Sequence, residues 1–124
     1  MEFTFTFIKL FSLGVALAAP LLLFFLLFII VLGQIVGRRE SWSKFDSLYW
    51  SFITATTVGY GDIRPLQKLS KTLAVIIALL GLILTGIVVA LALNAATTAF
   101  KENKDLNQVK HIVDEIINPE AKQE

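Results

Sequence analysis

The sequence predicts an all-α membrane protein, and three observations carry that expectation. Hydrophobic residues make up 56% of the 124 positions, and the mean hydropathy is +0.72. Two long apolar runs, residues 10–36 and 72–100, each exceed the roughly 20 residues a helix needs to cross a ~30 Å hydrocarbon core. Ten Phe residues and runs such as 21–32 would give a soluble monomer more apolar surface than it could cover.

Composition also excludes several classes. A net charge of +1 points to no nucleic acid. The absence of Cys removes disulfides, thiol switches and Cys-ligated metal. A secretory signal is a poor fit, because the first apolar run is too long and no small-residue cleavage site follows it.

The elements follow in order. Residues 1–9 form a Phe-rich lead-in (Phe3, Phe5, Phe7) suited to a membrane interface. Residues 10–36 are the outer helix, with Pro20 inside it; membrane helices tolerate proline, with or without a kink. Residues 37–44 are polar and form a loop. Residues 46–57 have helical spacing and the aromatics Tyr49, Trp50 and Phe52. A dozen residues cannot span, so this is expected to be a re-entrant or interfacial helix, capped by Ser43 or Asp46. Residues 63–71 are polar again, around Pro65, and residues 72–100 form the inner helix. Residues 101–124 are a charged tail. In it Leu106, Val109, Val113 and Ile116 repeat at a/d heptad spacing, with Ile112 and Ile117 beside them, ending near Asn118-Pro119. Two heptads are marginal alone. They gain support if an oligomer already holds several copies close together.

Between the two runs, residues 56–62 read Thr-Thr-Val-Gly-Tyr-Gly-Asp. A polar, glycine-containing loop at membrane depth is costly unless it is buried in protein or lines a water-filled path. Gly59 and Gly61 permit backbone conformations that other residues resist, so successive carbonyls can be aimed the same way. Backbone carbonyls can replace an ion's water shell without adding net charge, so binding stays weak enough for release. The partial negative charge at the C-terminus of the preceding helix would favour a cation there.

This seven-residue string, with an aromatic helix before it and a span on either side, resembles the two-transmembrane-helix potassium channels of the pore-only type. The resemblance covers residues 10–100 and leaves the tail outside. It implies a homotetramer in which each chain adds an outer helix, a pore helix with filter loop, and an inner helix. By the same resemblance potassium is the permeant ligand, and its ligands are the carbonyls of Thr57, Val58, Gly59 and Tyr60, with the Thr57 hydroxyl at the inner end and Gly61 completing the motif. Val58 is expected to pack behind the strand, and Tyr60 to brace it against the pore helix. Tyr49 and Trp50 match the aromatic cuff. Asp62 sits at the outer mouth. In some relatives it pairs with a buried acid at the position that is Ile53 here, so that pairing is absent and the mouth must be held differently. Arg64 replaces an aromatic that stacks on external tetraethylammonium in some relatives, so low sensitivity to that blocker is expected.

Gly81 matches the family's hinge glycine and Gly86 is a second candidate; the rival reading is close helix packing, favoured for Gly86. Helical spacing gives Leu82, Thr85, Val89, Leu93, Thr97 and Phe100 as the pore-facing set, with Leu93 or Phe100 as a hydrophobic gate. No acid lies on that face, so inner polyamine block should be weak. Neither span carries an arginine series, which argues against a voltage sensor. The tail is short for a ligand-sensing domain. His111, or the cluster Lys101, Glu102, Lys104 and Asp105, offers a pH-responsive element.

Both termini are expected in the cytoplasm of a plasma-membrane protein, on the resemblance alone, because Lys and Arg are similarly numerous near both faces. The expected partners are other copies of the chain, the lipid bilayer and potassium ions, with no cofactor. A separate regulatory subunit is left open. Two rival readings are weaker. A subunit of an active potassium-uptake transporter would carry several such units and a reduced filter. A membrane enzyme would need an acid–base set that the spans lack.

Overall fold

The computed structural model describes residues 1–122. Among them there are three α-helices, α1 (Glu2–Glu40), α2 (Lys44–Ala55) and α3 (Lys68–Ile117), and a short 3-10 turn, Pro119–Lys122. No strand occurs among the described residues. The plan of long helix, short helix, loop and long helix agrees with the sequence. The boundaries differ. The Phe-rich lead-in is the first part of α1 rather than a separate segment, and Pro20 lies within it without ending it. The inner helix and the tail are one helix of 50 residues. The polar residues at 101–105 do not interrupt it, since Lys and Glu are good helix formers.

Each junction is closed by a specific hydrogen bond. At the end of α1, Ser41 takes a positive φ of 60°. The Trp42 N–H then donates to the Gly37 carbonyl at 2.8 Å. This is a Schellman closure, with serine where glycine is usual. Arg38 and Arg39 in the last turn complement the helix dipole. At the start of α2, the Ser43 hydroxyl accepts the Asp46 N–H at 3.0 Å, so Ser43 is the cap and Asp46 a first-turn acid. The helix therefore begins and ends about two residues earlier than the spacing implied.

The chain divides into two compact units, residues 17–89 and a second made of residues 1–16 with those from 90 onward. The first unit has a buried core of Ile29, Val36, Trp50, Ala55 and Ile77, with Trp42, Leu73 and Leu84 against it. Trp42 meets Trp50 edge-on, at 5.3 Å between centroids and 62° between planes. Gly33 and Gly37 of α1 face Ser47 and Ser51 of α2. A Cβ on Gly33 would collide with the Ser51 side chain, and one on Gly37 with that of Ser47. Small residues four apart on both helices let the backbones approach closely. Both serine hydroxyls are buried and satisfied within α2, Ser47 by the Ser43 carbonyl and Ser51 by the Ser47 carbonyl.

In the second unit Ala95 and Ala99 of α3 are buried. A Cβ on Gly14 would lie 3.5 Å from the Leu91 side chain. Phe3, Phe7 and Phe11 stack in series along α1. In the most apolar windows of α1 and α3 only 6% and 11% of residues are buried. A helix at the centre of a soluble protein would be mostly covered, so these two are read as membrane spans.

Candidate functional site

The loop after α2 is built on a hydrogen-bond handover. The Thr56 N–H still donates to the Phe52 carbonyl at 2.9 Å, in helical register. The Thr57 N–H then reaches only three residues back, to Thr54, at 3.2 Å. That leaves the Ile53 carbonyl open, and the Gly59 N–H takes it at 3.0 Å. The first half of the loop is thus pinned to the end of the helix through main-chain groups. Ile53 serves here through its carbonyl, whatever its side chain.

Positive φ angles alternate along the loop: 63° at Thr57, 55° at Gly59 and 78° at Gly61. Alternating the sign of φ lets successive peptide planes turn their carbonyls toward one side, as expected from the two glycines. Thr57 extends the alternation to a residue for which it is strained. A Cβ at Gly59 or Gly61 would meet nothing within 4 Å, so glycine is required by conformation and not by space.

Asp62, at the far end of the loop, is held from α2. The Tyr49 hydroxyl donates to its carboxylate at 3.0 Å. Partial burial of Tyr49, and then this carboxylate, push the phenol above the usual tyrosine range, so the donor keeps its proton in ordinary conditions. The bond that Ile53 cannot supply comes from a residue one helical turn earlier. Within the chain Tyr60 is 72% exposed and Val58 51% exposed. Trp50 is buried in the core, edge-on to Trp42. Arg64 is exposed.

Two further contacts frame the loop. Gln67, just before α3, donates its N–H to the Glu40 carboxylate at 2.9 Å and its side-chain amide to the Arg39 carbonyl at 2.7 Å. The Gln67 N–H is the main reason the Glu40 carboxyl titrates below its ordinary value. The Ser70 hydroxyl beside it is fully buried, with no hydrogen-bond partner among the described residues. Its hydroxyl dipole acts on Glu40 in the same direction. On the other side, the Gln34 amide donates to the Lys44 carbonyl at 3.1 Å, tying α1 to the start of α2.

The two glycines of α3 have different surroundings within the chain. A Cβ on Gly81 would collide with the Ala55 carbonyl at the end of α2, so Gly81 is a close-packing residue, whatever hinge it also provides. Gly86, expected to pack, meets nothing within 4 Å. The pore-facing set of Leu82, Thr85, Val89, Leu93, Thr97 and Phe100 is exposed throughout. Among the described residues no group of three or more His, Cys, Asp or Glu could hold a metal ion.

Sequence reasoning missed Gly33, Gly37, Ser47, Ser51, Trp42, Glu40 and Gln67. The G-x-x-x-G spacing at 33 and 37 was a readable signal. The contact between Glu40 and Gln67 joins positions 27 apart and leaves no local trace.

Residues 21–98 match the family model described as "Ion channel". The chain is 43% identical over 53 residues to TWiK family of potassium channels protein 7 of Caenorhabditis elegans, a match covering 43% of this chain and 10% of that protein. It is 45% identical over 40 residues to a voltage-gated potassium channel of Aeropyrum pernix, covering 32% and 14%. To two-pore potassium channel 1 of Arabidopsis thaliana it is 41% identical over 61 residues, covering 49% and 16%. The matched part is thus a small fraction of each relative. No solved structure matches.

Proposed function

The chain belongs to the ion channel family, and on that premise we propose that it conducts potassium passively across the membrane, through a filter built from the loop carbonyls of four identical chains. The observation that carries this reading is the alternation of positive φ at Thr57, Gly59 and Gly61. A row of carbonyls turned one way gives a cation several weak ligands with no net charge. The relatives named as potassium channels supply the identity of the ion.

One chain provides one strand of such a filter. Residues 56–62 are exposed. Polar backbone so uncovered in a membrane needs other copies around it, and closed cyclic symmetry is the usual solution. Val58 and Tyr60, uncovered in the single chain, are then free to meet a neighbouring copy. The exposed face at Leu82, Thr85, Val89, Leu93, Thr97 and Phe100 lines the inner pathway, with Leu93 or Phe100 as the hydrophobic constriction. The chain needs no cofactor and carries out no chemistry on its substrate. It lies in the plasma membrane, with both termini in the cytoplasm.

Two measurements test this. Chemical cross-linking in the bilayer counts subunits, with four expected. Flux from liposomes compares potassium with sodium, and equal permeation defeats the selective-channel reading.

A further inference from the structure

The short helix α2 carries the loop, and two contacts with α1 fix its place without room for an extra atom. A Cβ on Gly33 would stand 2.7 Å from the Ser51 Cβ, and one on Gly37 2.6 Å from the Ser47 Cβ. Carbon atoms pack best at about 3.5–4.0 Å. A rotamer change moves a serine oxygen but leaves its Cβ in place, so neither clash can be relieved that way. A methyl at Gly33 or Gly37 would part the two helices by about 1 Å instead. On the other side of α2, Gly81 of α3 packs on the Ala55 backbone. Ser51 and Ala55 lie about one turn apart, and both are buried. The last turn of α2 is thus gripped from both long helices, with glycine at each point of contact.

The grip reaches the loop through the main chain. Ile53 sits between Ser51 and Ala55, and its carbonyl accepts the Gly59 N–H at 3.0 Å. Gly59 is the middle one of the three positive-φ positions. Close-packed interiors transmit strain, so a shift at Ser51 carries the Ile53 carbonyl with it. The loop pinned to that carbonyl follows. Gly37 acts one turn further from Ile53. Its partner Ser47 donates its hydroxyl to the Ser43 carbonyl at 2.8 Å, beside the cap of α2.

We propose that Gly33, and to a lesser degree Gly37, are positioning residues for ion selection. By letting α1 lie directly on α2, they hold the Ile53 carbonyl, and through it the loop, at the spacing that suits potassium. The inference rests on the potassium-channel reading above and extends it to residues of the first long helix, outside the loop. Potassium and sodium differ in radius by less than the displacement a methyl would force. Cavity size and carbonyl arrangement both change when the loop moves, so the preference weakens under either account of selection.

Reversal potentials of the full-length protein in planar bilayers, with potassium on one side and sodium on the other, give the permeability ratio. Gly33→Ala should lower that ratio by about tenfold, since preorganised sites respond steeply to a shift of about 1 Å. Gly37→Ala should lower it less. Adding Ser51→Gly to Gly33→Ala removes the opposing Cβ and should return the ratio to the wild-type value. Adding Ser51→Ala keeps that Cβ and should not. A merely structural contact would change the melting temperature or the number of channels and leave the ratio alone. An unchanged ratio in Gly33→Ala, or no recovery with Ser51→Gly, overturns the proposal. Should Gly33→Ala give no channels, Gly37→Ala with and without Ser47→Gly carries the same comparison. The absence of conducting variants in both pairs overturns the proposal as well. A wild-type protein with no preference refutes the potassium-channel reading itself, whereas a selective wild type with equally selective variants refutes the positioning role alone.

Discussion

Between residues 17 and 89 the helices meet through buried side chains and through hydrogen bonds that reach 10 to 28 positions along the chain. Beyond Phe100 His111 pairs with Glu115 four residues on, at 3.6 Å. Both regions are helical and both have apolar faces. They differ in how much of that face the chain covers itself. The first region uses close-approach glycines and serines to bring α1, α2 and α3 together around a loop of fixed conformation. The second leaves Leu106, Val109, Val113 and Ile116 exposed along one helix face. The chain therefore sets the shape of its loop locally, by contacts within one compact unit.

The sharpest way to break that contrast is to spoil one close approach. Gly81→Ala places a methyl against the Ala55 carbonyl, which belongs to backbone and cannot swing aside. We expect a loss of about 1–3 kcal/mol in stability, typical of overpacking, with flux falling as the end of α2 shifts. Gly86→Ala has open space around it and should stabilise the helix by up to about 1 kcal/mol. Thermal unfolding of both variants in detergent tests the opposite signs. A further loss of flux in Gly86→Ala alone would identify Gly86 as the hinge.

Next in size is the strap on the outer end of the loop. Tyr49→Phe removes the donor to Asp62 and should lower stability by about 1 kcal/mol. Because the bond fixes Asp62, the variant should also stop conducting sooner during sustained opening, which single-channel recording reads directly.

A smaller effect of the other sign is expected at Ser41. Its φ of 60° suits glycine, so Ser41→Gly should stabilise the end of α1 by about 0.5–1 kcal/mol, as relief of strain offsets the added chain entropy. Calorimetry or thermal melting measures it.

The smallest effect is a dependence on acid. Glu40 titrates below 4.5 in the folded chain because it accepts the Gln67 N–H. Its contribution is complete above the unfolded value and is lost as pH falls through the lower folded one. Melting temperature should therefore fall over that acidic range. Glu40→Gln should flatten this part of the curve while leaving neutral pH little changed.

What the sequence made legible follows from where each constraint is written. The alternating loop was readable at Gly59 and Gly61 because only glycine enters that region freely. The same conformation at Thr57 and Ser41 was hidden, since those residues adopt it under pressure from their surroundings. Tyr49 was legible as an aromatic of the cuff, but its bond to Asp62 depends on the angle between α2 and the loop, which spacing does not encode. The tail's heptads were plain. Whether the inner helix runs on into them was open, because Asn103 and Asp105 are weaker helix formers than the Lys and Glu beside them. Gly81 was read for flexibility, whereas its packing against Ala55 required the third dimension.

On the proposed function, the loop at residues 56–62 passes potassium in preference to sodium. The most direct test is the reversal potential of the purified protein in a planar bilayer, with potassium on one side and sodium on the other. A selective filter displaces it strongly toward the potassium equilibrium potential. A reversal potential with no displacement would contradict the account.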